Sequence, residues 1–532
     1  MQSISSCLAY NKTNYFSTIV LDYISGGQEL KPFYDHPVSL EGIKAAINER
    51  KAANTNRQLL VQAFTEQYKG IAVSEKQQTN ILQLSNANTF TICTAHQPNI
   101  FTGHLYFIYK ILHAVKLAES LSAQLPENNF VPVYYMGSED ADLEELGHIY
   151  LNGERYEWKT DQKGAVGRMR VDKALVQMID AVSGQLLVYG FGKEVVELMK
   201  KCYQLDTTIE QATFKLVNEL FAAYGLLILL PDSRLLKQAF IPVIEKELLT
   251  GFSHKAVQET VDAFPSKYKV QASGRELNLF YLTVGSRERI EQVNGEWSIV
   301  NSELKFSQDE MLKELHDFPE RFSPNVILRP VFQEMILPNI AFIGGGGEIA
   351  YWLELKKVFE AVRVPYPILT VRNSFLLIEE KQDALFKKLQ FSYEEIFKQE
   401  FDLMNILVKR DSGMQLNLAK EKNQLNELYN QLKNISGKID TTLQQHTEAL
   451  QAKALQKLDG LEKKMLRAEK KKFDAQQQQL HKLKQQLFPQ NNLQERVENF
   501  MLYYAKWGGG FLQIIYENSL SLEQEFVILA EK

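Results

Sequence analysis

The chain has 532 residues, more than one hydrophobic core supports, so a large domain with satellites is expected. Its net charge of -5 and pI near 6.1 exclude a surface built throughout for nucleic acid, and an apolar fraction of 45%, with 30 Phe and 23 Tyr, is ample for burial. Cys7, Cys93 and Cys202 lie far apart, which excludes a disulfide framework and a cysteine-rich zinc site and fits a reducing compartment. No basic region precedes an apolar core at the N-terminus, and no run approaches the roughly 18 apolar residues of a membrane span. A soluble, cytoplasmic protein is expected, with no membrane partner.

Residues 1 to 80 mix aromatic loop signals with helical patterning and carry no chemical motif. The chain then becomes informative. Thr89 to Thr94 is β-branched and apolar, Pro98 and Gly103 punctuate a turn, and Leu105, Ile108, Ile111, Leu112, Val115 and Ala118 recur at helical spacing. This predicts a strand, a turn and a helix beginning near Thr102, whose amides and dipole face the turn and can hold an anion. His96, Gln97, Asn99, Thr102 and His104 crowd polar groups there, which reads as a ligand site; a capped helix with hydrogen-bonded core histidines is the alternative.

Phe130 to Gly137 is a second apolar run, and it ends in Ser138-Glu139-Asp140-Ala141-Asp142, with Glu144, Glu145 and His148 beyond. Strand, helix, strand implies a parallel unit, and ligands of such sheets bind beyond the strands' carboxyl ends. The acids are suited to holding magnesium, orienting an amine, or capping the next helix from Asp140. No glycine stands at the sixth position of an EF-hand loop.

After a variable stretch at about 151 to 206, a helix is expected over Thr207 to Tyr224 and a third strand over Leu226 to Leu230. A small β-containing insertion is expected between Gly251 and about Phe318. The sheet should resume at Asn325 to Pro330 and at Asn339 to Ile343, the latter leading into Gly344 to Gly347, Glu348 and a helix. Gly345, Gly347 and Ala350 satisfy G-x-G-x-x-A, but no acid ends the strand Tyr366 to Val371, which disfavours a dinucleotide enzyme. Walker A, G-x-S-x-G and H-E-x-x-H motifs are absent, which removes P-loop ATPases, common serine hydrolases and zincins.

From about Asp383 the texture turns to long helix. Leu425, Leu428, Leu432, Ile435 and Ile439 step by three and four, a polar break follows at 436 to 442, and Leu458, Leu461 and Met465 resume the pattern, as in a coiled-coil hairpin. Between Gln451 and Leu487 ten Lys or Arg face four Asp or Glu, which is either a nucleic-acid arm or a solvated face. Leu493 to Ile515 is apolar and aromatic and should dock on the core.

Five blocks together resemble a known family: His96-Gln-Pro-Asn-Ile-Phe-Thr-Gly-His-Leu-Tyr-Phe-Ile-Tyr-Lys110, Gly137-Ser-Glu-Asp-Ala-Asp-Leu-Glu-Glu-Leu-Gly-His148, Leu328-Arg-Pro-Val-Phe-Gln333, Gly344-Gly-Gly-Gly-Glu-Ile-Ala-Tyr-Trp352 and Leu493-Gln-Glu-Arg-Val-Glu-Asn499. They look like BshC, the cysteine-adding enzymes of bacillithiol biosynthesis, and they follow one another in the family's order. Ala95, His104 and Ala141 depart from the usual glycine, proline and histidine.

The resemblance implies an α/β fold: a Rossmann-type parallel-sheet core similar to class I aminoacyl-tRNA synthetases over residues 1 to 385, with insertions at about 151 to 206 and 251 to 324. A coiled-coil hairpin at 386 to 488, through which a homodimer forms, and a docking helical segment at 489 to 532 complete it. It also implies a ligase joining the carboxyl of cysteine to the amino group of glucosaminyl-malate, and by analogy with the synthetases ATP, with Mg2+ a candidate, activates that carboxyl through an adenylate.

In that scheme His96, Thr102 and His104 with Glu139, Asp140 and Asp142 form the catalytic set. Gln97, Asn99, Tyr106, Ser138, His148, Gln333 and Trp352 face substrate, and Arg329 and Arg372 take the malate carboxylates or form internal ion pairs. Gly103, Lys110, Gly344, Gly345, Gly346, Gly347 and Glu348 face the nucleotide, with Lys110 alternatively a surface residue, and Gly344 to Glu348 with Trp352 form the pocket floor. No resident metal is expected. An RNA-binding protein with a basic arm and an inactive scaffold are the competing readings.

Overall fold

The computed structural model describes residues 3–272 and 274–531. The chain forms two compact units. The first holds 1–11, 15–377 and 492–532, and the second 12–14 and 378–491.

At the centre of the first unit lies a five-stranded parallel sheet. Its strands in chain order are β1 (Thr89–His96), β2 (Asn129–Met136), β3 (Leu227–Leu229), β4 (Asn339–Gly344) and β5 (Ile368–Val371). They are arranged 3-2-1-4-5 in space. This is the doubly wound order of a Rossmann-type sheet, in which connections diverge between β1 and β4 and open a crevice at the carboxyl edge. The strands are buried on both faces, which is why they read as continuous apolar runs. On one face Ile43 and Ile47 from the helix Leu40–Ala52 and Ala114, Leu117 and Leu121 from the helix Tyr106–Gln124 pack on Phe90, Ile92, Phe130, Ile340 and Ile343.

Two expectations change. The long helix begins at Tyr106 rather than near Thr102, because Phe101, Thr102 and Gly103 all adopt positive φ and break the helical path. Asn325 to Pro330 is not a strand of the parallel sheet. Asn325 Oδ1 accepts the Ile327 amide at 2.9 Å and starts the helix Leu328–Ile336, in whose first turn Pro330 has no helical partner to lose.

The strand just before it, Phe322–Pro324, belongs to a separate antiparallel sheet with Leu279–Thr283, Ser286–Val293, Glu296–Ile299 and Lys305–Phe306. The earlier insertion is a hairpin, His148–Leu151 with Glu154–Glu157, followed by the helices Lys173–Leu186 and Gly192–Cys202.

The C-terminal segment packs into the first unit through the helices Met501–Trp507 and Gly509–Asn518 and the strand Phe526–Glu531, which pairs antiparallel with Ser3–Leu8. Where the chain leaves and re-enters this unit, Leu377 and Gln494 are stitched together: the Leu377 amide donates to Gln494 Oε1, and Gln494 Nε2 donates to the Leu377 carbonyl, each at 2.9 Å.

The second unit is the hairpin of Ala419–Ile439 and Thr442–Lys470, continued by Asp474–Leu487 and flanked by shorter helices. Lys422 ties its two long helices through Asp459 and Glu462 at 2.7 and 2.5 Å. Leu428, Ile435 and Ile439 remain exposed along it. Among the described residues, no helix is long and apolar enough to cross a membrane.

Trp352 is fully buried and stacks on Phe342 of β4 at 4.2 Å, wedging the short helix after the glycine run against the sheet. Phe342→Ala should therefore cost about 3–5 kcal/mol of unfolding free energy. Chemical denaturation followed by far-ultraviolet circular dichroism reads the change.

Candidate active site

The carboxyl ends of β1, β2, β4 and β5 open on one cavity of about 580 Å3. From β1 come His96 and Gln97, from β2 Gly137, Glu139 and Asp140, from β4 Gly345 to Glu348, and from β5 Arg372. The antiparallel sheet adds Phe280 and Arg287, the helix Leu328–Ile336 adds Arg329, and the C-terminal segment adds Arg496.

His96 ends β1 with its ring beside Tyr106 and Phe107, at 5.4 and 5.5 Å. Burial holds its pKa well below the usual histidine value, and the charges of Lys110, His104 and Arg372 press it further down. The imidazole is neutral at physiological pH. Its Nε2 is shielded from solvent and has no hydrogen-bond partner.

Lys110 lies one turn inside the long helix and is buried, so it is not a surface residue. Its ammonium donates to the Ala95 carbonyl and to Glu348 Oε2, each at 2.6 Å. Glu348 also accepts the Gly345 amide at 2.8 Å, which closes the glycine turn on itself. A Cβ on Gly345 would come within 3.4 Å of Glu348 and 3.7 Å of Arg372, so the backbone itself forms this part of the wall.

Glu139 is buried against the ammonium of Lys237, which also donates to the Phe322 carbonyl at 2.6 Å. Burial raises the Glu139 carboxyl while Lys237 opposes the rise. Asp140 accepts from Gln97 Nε2 at 3.1 Å and stands 3.6 Å from Arg287.

Arg329 donates to Gln333 Oε1 at 3.1 Å and to the Tyr351 hydroxyl at 3.0 Å, and pairs with no carboxylate among the described residues. Gln333 is held in turn by Glu334, which receives Arg50 at 3.1 Å. Arg372, by contrast, forms a buried ion pair with Glu495 at 2.7 Å. Of the two alternatives for Arg372, the internal pair is the one observed, although its guanidinium still borders the cavity.

His96, Gln97, Tyr106, Glu139, Asp140, Arg329, Gly345, Gly346, Gly347, Glu348 and Arg372 thus share one cavity, with Lys110 and Gln333 directly behind it. Other expected residues lie elsewhere. Trp352 belongs to the core and not to the pocket floor, and Gly344, the last residue of β4, lies outside the lining. Asp142, not Asp140, caps the next helix, accepting from the Glu145 amide at 3.1 Å. His148 bonds the Glu144 carbonyl at 2.9 Å and lines a separate shallow hollow with Asp142 and Tyr150. Ser138 is buried outside the lining.

The turn after β1 is structural in its backbone. Thr102, Gly103, Leu105, Phe107 and Ile108 each donate their amide to a carbonyl, that of Leu105 to Glu498 at 2.7 Å, so these five amides are not open to an anion. Asn99 and Thr102 are buried and line no part of the cavity, and His104 bonds the Val497 carbonyl at 3.2 Å. Among the described residues, no three His, Cys, Asp or Glu side chains gather to ligate a metal.

Comparison with known proteins fits this architecture. Residues 4–373 match the family model described as Bacillithiol biosynthesis BshC, N-terminal Rossmann-like domain, and residues 375–531 match its C-terminal coiled-coil domain. The chain belongs to the BshC family. Relatives from Christiangramia forsetii and Flavobacterium psychrophilum, each carrying the name "Putative cysteine ligase BshC", are 39% and 40% identical over 99% of both chains. A third from Flavobacterium johnsoniae is 38% identical over 99% of both chains. Among solved structures, an arginyl-tRNA synthetase, so titled with the qualifier "putative", from Campylobacter jejuni matches at 10% identity and a TM-score of 0.24, covering 85% of this chain and 99% of that one. The sheet order, not this match, carries the fold.

Lys237, Arg275 and Arg287 lie outside every motif read from the sequence, and Glu495 and Arg496, although inside the block Leu493 to Asn499, have no role legible there. Of the three outside the motifs, Lys237 left a signal. It occupies the apolar stripe of the helix Arg234–Thr250, in step with Phe240 and Ile244, where a lysine needs a buried partner.

Removing that partner strands a charge. Lys237→Met should destabilise the protein by about 3–5 kcal/mol, and Glu139→Gln with Lys237→Met should restore much of the loss, because a neutral pair leaves no isolated carboxylate. Thermal or chemical unfolding of the single and double variants reads both.

Proposed function

We propose that this cavity joins the carboxyl of cysteine to the amino group of glucosaminyl-malate, completing bacillithiol. The observation that carries the reading is His96, a neutral imidazole with an unpartnered Nε2 at the rim of an arginine-rich cavity, in a chain of the BshC family. An amine that becomes an amide must lose a proton. A neutral imidazole has a free lone pair to receive it and an imidazolium has none; since burial disfavours the charged ring, His96 acts as a relay that passes the proton on.

The acids have separate tasks. Glu139 is neutralised by Lys237, which suits it to shaping the wall. Asp140 and Glu145 face the cavity and are placed to hold a substrate ammonium. Burial and the neighbouring Asp142 and Asp140 raise the Glu145 carboxyl. Arg329, with no carboxylate of its own, offers a planar fork to a malate carboxylate, and Gln333 fixes its direction.

A free carboxylate resists attack by an amine, and ATP supplies the activation that makes it reactive. The residues present fit such a polyanion: the glycine ledge at Gly345 to Gly347 presents backbone, and the cavity lining carries Arg275, Arg287, Arg329, Arg372 and Arg496. A cavity of about 580 Å3 lies within the range of small-molecule sites. Pairing of subunits through the hairpin is supported by its exposed Leu428, Ile435 and Ile439.

Purified protein incubated with cysteine, glucosaminyl-malate and ATP should form the coupled thiol, seen by mass spectrometry together with the nucleotide product. His96→Ala should lower kcat by about 10²- to 10⁴-fold without loss of fold. Arg329→Lys should raise KM for glucosaminyl-malate and leave that for cysteine nearly unchanged. Absence of the thiol with every nucleotide tried overturns the reading.

A further inference from the structure

The C-terminal block Leu493 to Asn499 belongs to the family pattern, and in the reaction drawn above only Arg496 of it enters, as one of five arginines lining the cavity with no individual task. Within it, nearly every residue is fastened. The Gln494 side chain pairs with the Leu377 backbone, and Glu495 receives Arg372, Ser374 Oγ at 3.1 Å and the Phe375 amide at 3.3 Å. The Val497 and Glu498 carbonyls receive His104 and the Leu105 amide, and the Glu498 carboxylate accepts the Asn152 and Gly153 amides at 3.0 and 3.1 Å. Asn499 Nδ2 donates to the carbonyls of Phe101 and Gly103 at 2.9 and 2.5 Å, across the turn whose residues 101 to 103 hold positive φ.

One side chain in this run is different. The Arg496 guanidinium makes no hydrogen bond or ion pair with any described residue, is exposed, and lines the cavity beside Arg372. Although the side chain reaches solvent, desolvation by the cavity wall and the Arg372 charge press it below the ordinary arginine value, and it remains a cation. Arg372 already has Glu495, so Arg496 is the open fork at this edge of the site. The Arg372 and Arg496 charges press on each other, and of the two only Arg372 is hydrogen-bonded to Glu495, so a bound anion at Arg496 is favoured.

We propose that the C-terminal block completes the active site, with Arg496 contacting an anionic group of a substrate, a phosphate or a carboxylate, and Glu495 positioning Arg372 beside it. Asn499 is likewise a positioning residue, holding the turn that carries β1 into the long helix. The site then draws on both regions that the family models separate, since Arg372 and Arg496 fall on either side of residue 375. The inference rests on the proposed reaction for the identity of the anion and not for its existence.

Calorimetric titration of the full chain with ATP, and separately with glucosaminyl-malate, tests it without requiring turnover. Arg496→Gln should weaken one of the two ligands by about 10- to 100-fold, the range of a lost hydrogen bond to a charged group. Arg496→Lys should fall between that variant and wild type, because it keeps the charge and loses the fork. Loss confined to ATP assigns the anion as a phosphate, and loss confined to glucosaminyl-malate assigns it as a carboxylate. Glu495→Gln should weaken the same ligand selectively, whereas a purely structural role would lower the melting temperature and leave the ratio of the two affinities unchanged. Binding of both ligands by Arg496→Gln within about twofold of wild type overturns the proposal. Absence of thiol product with Arg496-dependent binding retained would instead remove the ligase reading and keep this one.

Discussion

The buried ammonium of Lys110 is the interaction on which the site depends. It reaches from the helix after β1 to the Ala95 carbonyl at the end of that strand and to Glu348 at the turn after β4. Those two strands are where the connections of the sheet diverge, so one cation ties together both lips of the crevice. Burial works against its charge and Glu348 works for it. Such a pair adds little net stability, because desolvating two charges offsets most of their attraction, but it fixes geometry. It also places a positive charge near His96, one of the causes that keep that ring neutral. The glycine turn, the imidazole and the strand end therefore share a single constraint.

Around that constraint the chemistry divides by origin. Strand ends supply groups whose direction the sheet sets: His96, Gln97, Asp140 and the glycine backbone. Most of the cations come from elsewhere. Arg287 is carried by the antiparallel sheet, Arg329 by a helix, and Arg496 by the C-terminal block. A sheet edge can hold a neutral ring and a carboxylate with little support, whereas long guanidinium side chains need anchoring at the base. Gln333, backed by Glu334 and Arg50, provides that anchoring for Arg329, and Glu495 provides it for Arg372.

What could be read from sequence follows from range. The parallel strands were legible because burial on both faces writes a continuous apolar run, and the coiled-coil hairpin because its leucines repeat at helical spacing. His96 and Asp140 were legible because they follow such runs directly. Asn325 to Pro330 misled, since Val-Ile-Leu before Pro has strand character and the Asn325 side chain that starts a helix acts over two residues only. Trp352 was assigned to the pocket for its neighbours in the motif, but stacking on Phe342 decides its place. Glu495 lies within a family block but its task was not legible, because its partners Arg372 and Ser374 lie more than one hundred residues away and no local pattern encodes a pairing of that span. Arg496 has no bonded partner among the described residues to read, and only the fold brings it to the cavity.

The hydrogen bonds between Leu377 and Gln494 have a topological consequence. Everything from 378 to 491 leaves and returns through one stitched gate in the first unit, so the long helices are an excursion from a core whose own chain closes behind them. Pinning both ends of this excursion at one place spares the first unit the entropy of bringing those two ends together anew. The register at the gate sets the placing of Glu495 and Arg496, which follow Gln494 directly in the chain.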